Sequence, residues 1–195
     1  MTAASATSTG LKPVLVIGYG NPGRRDDGIG PELARRLEGS RPEGVTVDSD
    51  YQLMIEDAAD VAGHEVTVFV DASTSCPEPF LFREVHPRED ASFSTHSVSP
   101  EAVVHLAAKC FGGRPRAFVL EIRGYDFDGF GEGLSARAEA NLSAAAGFLA
   151  GLLRTKDFDA AAAAGTKAKA SEGPEPQAGS VLQPDGSGPA TGAVE

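Results

Sequence analysis

Three short apolar runs constrain this chain more than any other feature. They are Val14-Leu15-Val16-Ile17, Val66-Thr67-Val68-Phe69-Val70 and Ala117-Phe118-Val119-Leu120-Glu121-Ile122. Nearly continuous hydrophobicity over so few residues, rich in β-branched and aromatic side chains, reads as strands buried on both faces. Val45-Thr46-Val47 adds a shorter strand, and residues 80–85 alternate apolar and polar as a half-exposed edge strand does. Helical patterns lie between them. Pro31 opens one, with Leu33, Ala34 and Leu37 at helical spacing. Residues 53–61 read as another. Ser99-Pro100-Glu101 supplies an N-cap, a proline at N1 and an acid at N2, ahead of Val103, Val104, Leu106 and Ala107. Residues 134–153 read as a long Ala/Leu helix. This alternation predicts an α/β fold. The expected architecture is a single three-layer domain, with a mostly parallel twisted sheet of about five strands and helices on both faces.

The ends of the chain differ in composition from its middle. Residues 1–12 are small and polar and read as a flexible N-terminal arm. The domain is expected over residues 13–153. From residue 156 onward an alanine run at 160–164 gives way to Gly, Pro, Ser, Lys and Glu. With so few large apolar side chains, residues 156–195 are expected to be a disordered tail. Seventeen Lys and Arg against 28 Asp and Glu give a net charge of −11. That argues against nucleic acid as a partner. No apolar run is long enough for a bilayer, and no signal peptide is evident, so the expected compartment is the cytoplasm. Cys76 and Cys110 are too few for a disulfide scaffold or a Cys-rich zinc site.

The loop after the first strand contains G-x-G-x-x-G at Gly18, Gly20 and Gly23. A dinucleotide site is the obvious candidate, with Asp48 at the end of the next strand as its acid. The residues oppose it. Pro22 and the polar stretch from Arg24 to Asp27 postpone the helix whose N-terminus should face the diphosphate. Asp26 and Asp27 bring negative charge to the same place, and Asp48 is too far along. Of these two aspartates, one is expected to cap the following helix, leaving the other free.

In doubly wound sheets, sites form at the carboxyl ends of strands. Asp27 follows the first strand. Asp71 ends the third, where five apolar residues precede a carboxylate that needs a partner. His96 lies just before the helix that starts at Ser99. Together Asp27, Asp71 and His96 offer two oxygens and one nitrogen, a set suited to nickel, zinc or manganese with positions left open. Other chemistries lack their residues. His64-Glu65 is not followed by a second histidine at metalloprotease spacing, the 133–137 stretch fails as a nucleophile elbow, and no Walker A loop occurs. Cys76 with His96 is a conceivable nucleophile pair.

Several of these segments together resemble the NiFe-hydrogenase maturation proteases. They are Gly18-Tyr19-Gly20-Asn21-Pro22, Asp26-Asp27-Gly28-Ile29-Gly30, Val70-Asp71-Ala72, Thr95-His96-Ser97-Val98-Ser99-Pro100 and Gly131-Glu132-Gly133-Leu134-Ser135. They occur in the family's order over residues 13–153. The resemblance implies an α/β endopeptidase that removes the C-terminal extension of a hydrogenase large-subunit precursor once nickel has been inserted. It implies metal contacts at Asp27, Asp71 and His96. With no Ser or Cys nucleophile evident, Asp27 or Asp71 is expected to act as general base toward a water polarised by the metal. Nickel would come with the substrate, and no tightly bound organic cofactor is expected. The alternative is a non-catalytic nickel- and peptide-binding accessory protein of hydrogenase assembly. The resemblance departs at Asp48-Ser49-Asp50-Tyr51-Gln52-Leu53, where many members carry a Gly-rich stretch.

Overall fold

Each predicted strand forms, and the register explains why the apolar runs are continuous. The computed structural model describes residues 14–40, 43–89 and 98–171. Its strands are β1 (Val14–Tyr19), β2 (Val45–Asp50), β3 (Val66–Ser73), β4 (Phe80–Val85) and β5 (Arg116–Arg123). They make one sheet in the order β2-β1-β3-β5-β4. All neighbours are parallel except β4, which runs antiparallel to β5 at the edge. Among the described residues five α-helices accompany the sheet: α1 (Ile29–Ser40), α2 (Asp57–Gly63), α3 (Pro100–Phe111), α4 (Ala136–Thr155) and α5 (Phe158–Ser171).

Successive strand residues face opposite sides, and both sides are covered. Val16, Val68, Val70 and Phe118 pack with Ile29 and Leu33 of α1 and Leu142 and Leu149 of α4. Leu15, Ile17, Phe69 and Val119 pack with Val61 of α2 and Val103 and Val104 of α3. The three-layer expectation holds. Cap chemistry places α3 where the sequence predicts it: the Ser99 hydroxyl accepts from the Ala102 amide at 3.2 Å, and Gly112 closes the helix at φ 70°. α2 starts at Asp57 rather than near residue 53, because the Asp57 carboxylate closes a turn by accepting from the Met54 amide at 2.8 Å.

The expected tail beginning at residue 156 needs correction. Residues 158–171 form α5. Phe158 is 2 % exposed and stacks on Phe118 with ring centroids 5.4 Å apart. Gly165 lies so close to β4 that a Cβ there would stand 2.1 Å from the Phe82 carbonyl oxygen. One anchoring aromatic and a row of small residues let this helix seat against an edge strand that would otherwise present unpaired backbone. Mean composition hides that, because alanine packs well wherever a surface is offered. Phe158→Ala should therefore destabilise the whole domain by about 3–5 kcal/mol, read as a lower urea midpoint. An unchanged midpoint would mean that α5 does not belong to the core. The arm at 1–12 and residues 172–195 lie outside the described residues. Among the described residues, no helix is long and apolar enough to cross a membrane.

Candidate functional site

An open α/β sheet has a crevice where successive crossovers depart in opposite directions. Here β1 connects to β2 on one side, while β3 lies on its other side, so the crevice opens between the carboxyl ends of β1 and β3. β1 pairs with β3 only as far as Gly18 opposite Val70. β3 continues beside β5 to Ser73 opposite Arg123, two residues beyond the expected end at Asp71. Asp71 is thus the first β3 residue past the end of its pairing with β1, and its carboxylate borders the crevice.

The loop after β1 is folded onto this point by glycines at close approaches. A Cβ on Gly30 would lie 2.3 Å from the Tyr19 carbonyl oxygen and 2.7 Å from that of Val70. A Cβ on Gly18 would lie 2.2 Å from the Gly30 oxygen, and one on Gly20 would lie 2.0 Å from the Asp27 oxygen. The space that a dinucleotide motif reserves for phosphate is therefore filled by the chain itself. The helix also starts late, at Ile29, after a 3₁₀ turn over Arg25–Gly28. That turn carries both aspartates, and neither caps α1. Asp26 is fully buried and accepts from Tyr125, Asp126 and Ser135. Asp27 is half-buried and accepts from the Asn21 amide at 3.1 Å.

Asp71 accepts from the Ala72 amide at 2.8 Å, and the Tyr19 hydroxyl also donates to it. Burial pushes its carboxyl up to about 6. The Tyr19 and Ala72 hydrogen bonds pull down, and the charges of Asp27 and Glu121 push up further. Asp27 and Asp71 are thus close enough to feel one another's charge. The Tyr19 phenol is raised far above its ordinary value, by burial first and then by Asp71. A cleft of about 270 Å³ opens here, lined by Tyr19, Asp71, Ser75, Arg83, Pro100 and Glu121 among others. Arg83 pairs with Glu121 at 2.8 Å and reaches Glu101 at 3.4 Å, which neutralises the second carboxylate of the cleft. Asp27 and Asp71 have no cationic partner among the described residues. A larger depression of about 520 Å³, lined by Asn21, Gly28, Tyr51 and Leu134 among others, runs along the same β1–α1 loop.

His96 lies outside the described residues. Among the described residues, no group of three His, Cys, Asp or Glu side chains is arranged to hold a metal ion. Cys76 is buried, its thiol donates to the Glu121 carbonyl at 3.4 Å, and burial pushes its pKa up. That is the opposite of what a thiolate nucleophile needs. Tyr19 and Arg83 are site residues that sequence reasoning missed. Tyr19 is the last residue of β1, and its place at that strand end is the one signal it carried.

No protein-family model matches the chain, and no curated protein matches it either. Solved structures do. The NiFe hydrogenase maturation protease HycI from Thermococcus kodakarensis superimposes with a TM-score of 0.58 at 21% identity, over 75% of this chain and 95% of that one. The hydrogenase 2 maturation peptidase from a Thaumarchaeota archaeon gives 0.54 at 26% identity, over 73% and 98%. The hydrogenase maturating endopeptidase HybD from E. coli gives 0.58 at 20%, over 74% and 94%. The chain has the hydrogenase maturation protease fold. In this maturation-protease fold, Asp27 and Asp71 come from separate strand ends, 44 residues apart by their numbering, and the 3₁₀ turn that carries Asp27 packs against β3, which carries Asp71.

Proposed function

We propose that the chain is an endopeptidase that trims the C-terminal extension from a NiFe-hydrogenase large-subunit precursor after nickel insertion. In this reading Asp27, Asp71 and His96 contact nickel carried by the substrate. The observation that carries it is the cleft lined by Asp71, with the turn that bears Asp27 packed against the same strand, in a fold whose solved relatives are named as hydrogenase maturation proteases. Support for His96 comes from chain position: Pro100, four residues later, lines the Asp71 cleft.

The chemistry of the donors fits a metal that arrives with the substrate. Two carboxylates and one imidazole make a hard, sparse set, a weaker holder of nickel than a thiolate site. A metal-free precursor would leave the two carboxylates without a cation to balance their charge, so the metal itself becomes the specificity element. One carboxylate acts as general base. It would take a proton from the attacking water as the water oxygen adds to the scissile carbonyl carbon, and would return that proton to the leaving amine as the C–N bond breaks; the substrate's nickel would supply polarisation of that water.

Incubating the purified chain with nickel-loaded and with metal-free precursor, followed by mass spectrometry, tests the reading. Loss of the extension from the nickel-loaded form alone is the expected result. Intact mass in both, with the precursor still bound, would instead favour the accessory-protein reading. Equilibrium dialysis adds a second check: a submicromolar nickel site in the chain without precursor would overturn the substrate-borne metal.

A further inference from the structure

The aspartate beside Asp27 has no part in the reaction above, yet it is the more completely bonded of the two. Asp26 is 0% exposed. Its carboxylate accepts from the Tyr125 amide at 2.8 Å, the Asp126 amide at 3.0 Å, the Ser135 amide at 2.6 Å and the Ser135 hydroxyl at 2.8 Å. All of these donors belong to the connection between β5 and α4, between 99 and 109 residues further along the chain. Two carboxylate oxygens have lone pairs enough for all four donors. The Asp26 amide donates to the Asp126 carbonyl at 3.0 Å, so this residue is held at both its backbone and its side chain.

The bonds around it run the same way. The Arg25 amide donates to Gly131 at 3.0 Å, the Gly131 amide donates to Gly23 at 2.8 Å, and an Arg24 guanidinium nitrogen donates to the Phe127 carbonyl at 3.0 Å. Arg25 has φ 53°, a left-handed conformation uncommon for a residue with a side chain. Such a conformation persists where the surroundings over-determine it, and these bonds do so. Asp27 is the next residue, and its carboxylate turns toward Asn21 and the field of Asp71.

We infer that Asp26 is a positioning residue: its buried carboxylate ties the β1–α1 loop to the β5–α4 connection and thereby fixes where Asp27 meets the crevice. The inference rests on the reading of Asp27 as a nickel-facing group. A carboxylate is required because every group pointing at it is a donor. Asparagine, the closest isostere, would turn an NH₂ toward N–H and O–H groups and leave at least one buried donor unpaired.

Asp26→Asn tests this in two ways. With nickel-loaded precursor, kcat should fall by about 10²-fold, the scale of a misplaced catalytic group, with KM unchanged. Independently of any substrate, amide hydrogen exchange at Asn21, whose N–H reports the Asp27 carboxylate, should quicken by about tenfold or more while Val16 and Phe69 stay protected. Leu149→Ala, a core change in α4 away from the loop, is the control and should lower stability but not kcat. Should Asp26→Asn fail to fold, Ser135→Ala removes one of the four donors and should move both readouts the same way by less. Wild-type kcat in Asp26→Asn, or unchanged protection at Asn21, overturns the inference. If the wild-type chain does not trim the precursor at all, the proposed function fails, and exchange at Asn21 still decides whether Asp26 positions its neighbour.

Discussion

Asp71→Asn should stop trimming of a nickel-loaded precursor, lowering the rate by about 10²–10⁴-fold, the usual worth of a positioned acid–base group. The substitution is chosen because it is nearly silent structurally. An asparagine oxygen still accepts from the Ala72 amide that holds Asp71 at 2.8 Å. Burial of Asp71 opposes its charge, so a neutral side chain suits the fold at least as well. What the variant loses is an anionic ligand and base. Asp27→Asn is its counterpart, since asparagine again accepts from the Asn21 amide. His96→Ala should give the same loss. Circular dichroism and melting should match the wild type for all three. Trimming by Asp71→Asn within tenfold of wild type, on folded protein, would remove Asp71 from the reaction.

Gly30→Ala should be strongly destabilising for a single added methyl. The added carbon would stand 2.3 Å from the Tyr19 oxygen, 2.7 Å from the Tyr19 nitrogen and 2.7 Å from the Val70 oxygen. All three are backbone atoms of β1 and β3, so no side chain can rotate out of the way. α1 must lift from the sheet, which exposes part of the core made by Ile29, Leu33 and Leu37. Overpacking of this kind sits at the upper end of its usual range, about 3 kcal/mol, and the lift would also carry Asp27 away from Asp71. Gly39→Ala, in the same helix with nothing within 4 Å of the new carbon, should instead stabilise by about 0.5–1 kcal/mol. Urea midpoints of the two variants should move in opposite directions. A Gly30→Ala midpoint equal to wild type would refute the close approach.

Much of the frame was legible in the residues because it depends on local periodicity. Val14 to Ile17 alternate between two cores, and a run apolar at every position is what that requires. Ser99 and Pro100 mark a helix start by chemistry confined to a few residues. Asp71 could be nominated because a carboxylate after Val66 to Val70 stands out against its surroundings. Other features were hidden because their causes are distant. β3 runs past Asp71 because β5 pairs with it as far as Arg123. α5 forms on the sheet because β4 offers an edge and Phe118 offers a ring for Phe158.

The amino-acid order by itself determined the α/β class, the strand positions and the choice of Asp27 and Asp71 as candidates, since each follows from hydrophobic period or from a polar residue at a strand end. Only the tertiary structure decided which of the adjacent pair Asp26 and Asp27 is fully buried and which stays partly exposed. Nothing local shows which of two neighbouring aspartates distant donors will claim. The donors that claim Asp26 lie in the chain about a hundred residues away, and they come within reach only once β5 and α4 have packed.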